Sequence, residues 1–323
     1  MGVKYSPMKN KQAPENLIDR DISDLRRRSA RTLRVTVPAM EKILYRRFPV
    51  LDHGFVRVVD YMGADESVVQ SARVSYGRGT RKTSDDRGLI RYLMRHWHTT
   101  PFEMCEVKLH VKLPIFVARQ WVRHRMSSIN ELSARYSVLD REFYLPDEKV
   151  IGVQDLKNRQ GRGSILSRER AQSIISILRD DAARCYDHYE GFMKGEGDGQ
   201  SEPLARELAR INLPVGLYTQ WYWKTDLHNL LNFLRLRMAV HAQYEIREYA
   251  RIIGDIVAKW VPLSWEAFQD YRFESATLSR HELNVARSLA SGKRPRKADL
   301  SALSGREIRE LADKLGVGSK RLR

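Results

Sequence analysis

Between residues 86 and 98 the apolar side chains Leu89, Ile90, Leu93, Met94 and Trp97 recur at helical spacing, which predicts an amphipathic helix. Thr83 or Ser84 would cap it, with Asp85 and Asp86 favouring its positive end. The period then changes. Across 106–113, Val107, Leu109, Val111 and Leu113 alternate with Glu106, Lys108, His110 and Lys112, predicting a strand with one wet face in an antiparallel sheet. Pro114 suits the first turn of a short helix over 115–123. Another strand is expected at 137–145, followed by a polar loop through Ser164. Residues 165–194 read as a long helix ended by GEGDG at 195–199, and a short helix over 204–211 stops before Pro214. An aromatic strand at 217–223 and helices at 226–238 and 241–260 complete the pattern, with Trp221, Tyr222, Trp223, Leu230, Leu231 and Leu234 assigned to packing. Helices and strands without regular βαβ alternation predict an α+β fold, mixed helices packed on an antiparallel-type sheet.

Composition adds bounds. The 323 residues suffice for a well-buried core, and no apolar run approaches the length of a membrane span. The first residues lack the apolar stretch of a secretory signal. Two cysteines, Cys105 and Cys185, cannot build a disulfide framework or a four-thiolate zinc site, and a reducing cytoplasm is expected. The histidines are scattered without metal-ligand spacing, so no metal is expected.

The formal net charge of +17 raises the question of nucleic acid. Residues 1–49 and residues 275–323 each hold 12 Lys/Arg against 5 Asp/Glu, whereas 50–274 hold 33 against 30. This divides the chain into a basic N-terminal extension (1–49), its first 30 residues expected to be flexible, a nearly balanced globular domain (50–274) and a basic C-terminal extension (275–323). In the last, GKRPRK at 292–297 looks unstructured and SGREIRELADKLG forms a short amphipathic helix. Nucleic acid, if it binds, is expected only there; a solvated tail is the alternative.

The densest polar cluster is QWVRHRMSSINELSARY at 120–136. Its arginines, Arg123, Arg125 and Arg135, suit phosphate because the planar fork donates paired hydrogen bonds and stays charged. Its Gln, Ser and Asn side chains suit the edges of a base or a flavin ring. Arg123-His124-Arg125 followed after seven residues by Ser133 resembles the signature of flavin-dependent thymidylate synthases. HTTPFE at 98–103, KLPIFVARQW at 112–121, LYTQWYW at 217–223, LHNLLNFLRLR at 227–237 and HAQYEIREYA at 241–250 are similar to that family in the same order.

The resemblance implies reductive methylation of dUMP to dTMP, with 5,10-methylenetetrahydrofolate as carbon donor and NADPH-reduced FAD as hydride source. It also implies a homotetramer with shared sites. It assigns FAD to Ser75, Thr100, Glu103, Arg123, His124, Arg125, Glu131, Asp226, Leu227, His228 and Asn232. It assigns dUMP to Gln120, Trp121, Val122, Arg123, Glu131, Leu132, Ser133, Ala134, Arg135, Arg210 and Arg237, and makes Arg237 the group that activates the uracil ring. His98 falls near flavin and folate. Asp226 and His228 replace an Asn and an Arg of some members, and Ala134 replaces a glycine.

The residues also speak to mechanism. Methylating C5 of uracil requires a nucleophilic carbon. Neither cysteine has a local pattern that would lower its pKa, which argues against a cysteine-dependent synthase. A fixed cation is the alternative. On the helix over 226–238, His228 and Asn232 share a face while Arg237 projects about 180° from His228. A site formed where subunits meet would use both faces. The competing class, a basic RNA- or DNA-binding protein with an inert globular middle, is disfavoured because the basic excess avoids the motif-bearing region.

Overall fold

The computed structural model describes Ile22, residues 24–75, 85–155, 161–196, 202–318 and Leu322. Strands β1 (Arg47–Val50), β2 (Gly54–Met62), β3 (Glu106–Pro114), β4 (Ser128–Glu131) and β7 (Tyr218–Asp226) form one sheet in the order β1-β2-β3-β7-β4, every neighbour antiparallel. Strands β5 (Gly152–Gln154) and β6 (Arg162–Ile165) make a separate hairpin. The helices include α1 (Pro38–Glu41), α2 (Asp65–Val74), α3 (Asp86–Arg95), α4 (Thr100–Glu103), α5 (Ile115–Trp121), α6 (Arg168–Lys194), α7 (Arg206–Ala209), α8 (Leu227–Arg237) and α9 (Tyr244–Trp260), which a short helix at Pro262–Phe268 follows. The expected α+β class with an antiparallel sheet is what the structure has.

The β3 strand follows its alternation, yet its expected wet face is wet only at Glu106 and Lys108. It is the central strand, and His110 and Lys112 are buried. His110 stacks on Tyr222 at 5.0 Å and bonds Gln220 at 3.0 Å. Lys112 pairs with Glu142 and lies 3.5 Å from Asp140. Buried charge is tolerated here because it is paired. Tyr249 of α9 donates its hydroxyl to the Lys112 carbonyl at 2.7 Å, and Gly54 leaves the room: a Cβ there would meet that hydroxyl.

Other expectations need correction. Asp85, rather than Thr83 or Ser84, caps α3, its carboxylate accepting the Gly88 N–H at 2.6 Å; Thr83 and Ser84 lie outside the described residues. Trp97 is not part of the buried stripe: it is 62% exposed at φ +63°, a left-handed conformation rare for a bulky residue. The 137–145 segment contributes one bridge, Phe143 to Leu217, instead of a strand. The expected 146–164 loop contains the β5–β6 hairpin. The long helix α6 ends at Gly195 in the left-handed conformation that glycine permits; residues 197–199 of GEGDG lie outside the described set.

Met40 of α1 is wholly buried and β1 spans position 49, so the sheet unit starts within the expected N-terminal extension. The chain folds as two compact units, Met1–Ala267 and Phe268–Arg323, so the second starts before residue 275. That second unit contains α10 (Arg280–Ala290), α11 (Lys297–Ser301) and α12 (Gly305–Leu315) around its own core of Val285, Leu303, Ile308, Leu311, Ala312 and Leu322. Of GKRPRK, Gly292 closes a turn after α10 and Lys297 opens α11, while residues 293–296 between them have no regular secondary structure, as expected. Among the described residues no helix is long and apolar enough to cross a membrane, and no His/Cys/Asp/Glu group is placed to hold a metal.

Candidate active site

The functional turn grows out of the core. Trp121 ends α5 with its ring wholly buried, edge-on to Trp221 (5.8 Å) and Trp223 (5.2 Å) and 4.7 Å from Phe233 of α8. The chain then turns tightly, with Val122 N–H on the Ala118 carbonyl and His124 N–H on the Trp121 carbonyl, both at 3.0 Å. Arg123 and Arg125 project from this turn, exposed, with no carboxylate partner among the described residues. The chain continues into the edge strand β4, so the motif leaves the turn along the sheet rather than as a free loop.

Helix α8 meets this turn at its C-terminal end. Arg237 donates through Nε to Nε2 of His124 at 3.0 Å and reaches the Gln120 carbonyl at 3.5 Å. Because arginine is always a donor, the His124 lone pair must sit on Nε2 and its proton on Nδ1. Burial, and then the Arg237 charge, lower the His124 pKa from 6.5 to about 4. Burial also lowers that of Arg237, which nonetheless remains a cation. The outcome is a half-buried guanidinium beside a neutral imidazole, with no carboxylate among the described residues to neutralise it.

A relay of amides and carboxylates stands behind the pair. Gln120 Nε2 donates to Gln243 Oε1, and Gln243 Nε2 donates to Glu245 at 2.8 Å. Glu245 is 2% exposed and also accepts from Arg162 of β6 and, at 3.0 Å, from Tyr144. Burial pushes the Glu245 carboxyl up, but the Arg162 bond and charge outweigh it and hold it below the usual range. An ionised carboxylate only accepts, so it fixes the direction of both amides. Sequence inspection passes over Gln243 and Glu245: they sit within HAQYEIREYA, where adjacent polar positions at a helix start carry no periodic signal.

A second group lies on the chain after β4. Glu131 accepts from Thr219 at 2.7 Å, and the Leu132 N–H bonds the Gln220 carbonyl at 2.8 Å. Ser133 Oγ accepts the Arg135 N–H at 3.3 Å. The α7 segment docks here: Arg135 pairs with Glu207 at 3.1 Å, Arg206 donates to the Tyr136 carbonyl at 2.7 Å, and Ala134 and Ala209 share a core cluster. Arg210, half-buried, directly follows Ala209 in the chain.

Around α8, Asn232 is exposed and His228 half-buried. Helix α4, carrying Thr100 and Glu103, packs on α2 and α8, and Ser75 is the C-cap of α2. His98 is exposed with its ring 5.6 Å from Tyr92. Three expected ligands need qualification. The side chains of Trp121 and Leu227 are wholly buried, which leaves only their backbones for a ligand. Asp226 is the N-cap of α8: its two carboxylate oxygens take the Asn229 N–H (2.9 Å) and side-chain amide (2.7 Å), so capping already engages the group.

A family profile described as "Thymidylate synthase complementing protein" matches residues 57–263. A Ruegeria pomeroyi protein named flavin-dependent thymidylate synthase is 56% identical over 296 residues, covering 92% of this chain and 97% of its own. A Gluconobacter oxydans protein of the same name is 58% identical over 281 residues, covering 87% of this chain and 91% of its own. Among solved structures, the UMP/dUMP methylase PolB from Streptomyces cacaoi, bound with 5-Br UMP, is 33% identical with a TM-score of 0.61, over 70% of this chain and 98% of its own.

Proposed function

The chain belongs to the flavin-dependent thymidylate synthases, and we propose that it methylates dUMP to dTMP with FAD as the flavin, 5,10-methylenetetrahydrofolate as carbon donor and NADPH as reductant. One observation carries the mechanism: Arg237, a half-buried cation beside a neutral His124. A guanidinium with no neutralising carboxylate favours an anion next to it, and developing negative charge on the uracil ring is such an anion. Cys105 is not an alternative nucleophile. It is wholly buried, and burial pushes its thiol up to about 12.

The residues present fit a flavin dinucleotide. Arg123 and Arg125 are exposed cations for its phosphates, and the Asn232 amide and His228 ring are accessible on α8. Held there, a reduced flavin would supply the hydride chemistry that completes the methyl group. Ser133, Arg135 and Arg210 would hold the nucleotide, while the relay from Glu245 through Gln243 fixes how Gln120 presents its amide. The His124 Nδ1–H remains available as a donor, its other nitrogen being held by Arg237.

A homotetramer with shared sites is part of the proposal. Met126 (70% exposed), Tyr136 (78%) and Val240 (76%) flank the polar groups, and β4 is exposed along its whole length, as expected of surfaces that a second copy covers. The test is a visible spectrum of the protein after incubation with FAD and desalting, recorded with and without dUMP. Retained flavin bands that shift with dUMP are expected; a colourless, folded protein refutes the proposal.

A further inference from the structure

Within the unit from Phe268 to Arg323, whose helix α12 exposes Glu307, Glu310 and Asp313, one stretch has its charges sorted by sign. From Arg280 to Asp299 the basic residues are Arg280, Arg287, Lys293, Arg294, Arg296 and Lys297, and the acids are Glu282 and Asp299. Both acids are buried, at 6% and 3% exposure. Asp299 accepts from Asn284 (3.0 Å), His281 (3.0 Å) and Arg296 (2.8 Å), which hold its carboxyl well below the usual range. Burial pushes Glu282 up, but Lys314 at 2.8 Å and the Ser279 cap outweigh it. The negative charge of this stretch is thus used inside the unit. Its exposed surface carries cations alone, and Arg287, Lys293, Arg294 and Lys297 have no carboxylate partner among the described residues.

These cations stand on a built turn. Gly292, at φ +67°, donates its N–H to the Leu289 carbonyl at 3.0 Å, and Lys293 N–H reaches the Ser288 carbonyl at 2.9 Å, closing the end of α10. Arg296 is the N-cap residue of α11 while its side chain holds Asp299, tying the far side of the turn back to α10 through His281 and Asn284. On α10, Arg280 and Arg287 lie seven residues apart, within about 20° of one face and roughly 10 Å along the axis.

We propose that this surface binds the phosphate backbone of duplex DNA without reading its bases. A row of cations with no exposed acid among them is complementary to a repeating polyanion. The stretch 275–323 has no Phe, Tyr or Trp, hence no platform on which unpaired bases could stack. Its one large exposed apolar side chain among the described residues, Leu283 at 37%, offers no wedge for a lipid surface.

The experiment is fluorescence anisotropy of a fluorescein-labelled 20-base-pair DNA duplex with the full chain, from 50 to 200 mM NaCl. Five phosphate contacts, from Arg280, Arg287, Lys293, Arg294 and Lys297, give a slope of log K against log salt of about −4.5. The triple variant Lys293→Glu, Arg294→Glu, Lys297→Glu should bind at least tenfold more weakly at 100 mM salt with a shallower slope, and keep its thymidylate synthase activity and circular dichroism. No binding at 50 mM, unchanged binding by the triple variant, tighter binding of the single strand, or tighter binding to phosphatidylserine vesicles would each overturn the proposal.

Discussion

The His124–Arg237 contact makes a prediction that can be followed from geometry to titration. Wild-type His124 should be neutral at pH 7, with its proton on Nδ1 and its pKa lowered from 6.5 to about 4. Burial is the larger cause and the Arg237 charge the smaller. Arg237→Gln removes the second and leaves the first, so the His124 pKa should rise yet stay below 6.5. The linkage follows with its sign. Below pH 6.5 the unfolded chain takes up a proton that folded His124 refuses, so this contribution to stability falls as pH drops from 6.5 to about 4 and then levels off. Full conversion of the shift would be about 3 kcal/mol; because the ring is only half-buried, solvent screening reduces it to ~1–2 kcal/mol. The assay is NMR of protein carrying ¹⁵N-histidine, the signal identified with a His124→Gln sample, alongside urea unfolding from pH 4 to 7. A wild-type His124 that titrates near 6.5, or one whose titration is the same in Arg237→Gln, would refute the reasoning.

Arg237→Ala should retain FAD after desalting yet lose dTMP formation by at least a hundredfold, read as the same fall in single-turnover rate; ordinary turnover would remove Arg237 from its role. Glu245→Gln should destabilise the fold by roughly 1–2 kcal/mol in urea, because it removes a charge-assisted bond while the exposed Arg162 stays solvated, and raise the KM for dUMP as Gln243 becomes free to flip. In the wild type the Glu245 contribution is present above the ordinary carboxylate value of 4.5 and is lost as pH falls below it, which pH-dependent unfolding of the two proteins would separate. Cys105→Ala and Cys185→Ala should each keep synthase activity, with Cys105→Ala costing about 1 kcal/mol for its vacated core volume.

What the sequence revealed follows from which forces have a linear signature. The β3 strand was legible because hydrophobic alternation is local, but the burial of His110 and Lys112 was not, since it depends on β2 and β7 lying on either side. The β4 strand and the β5–β6 hairpin escaped detection because SSINE and the 152–165 stretch are polar and held by backbone pairing, which leaves no apolar period. The Arg123-His124-Arg125 turn was recognisable by residue type alone. Its backing was not, because Glu245 meets Gln120 only across a long span of chain and through Gln243. Asp226 was readable as a polar residue at a helix start, though its spacing to Asn229 indicates a cap as well as it does a ligand.

The Trp121 ring is the bolt by which the arginine turn is fastened to the aromatic core, and this bears on how the enzyme should respond to heat. A site on a pendant loop can lose its shape well before the domain melts, giving inactivation that precedes unfolding. Here the first residue of the turn follows directly on a side chain packed among Trp221, Trp223 and Phe233. Warming should therefore leave catalytic geometry and tryptophan emission intact together and abolish them together, in a single step.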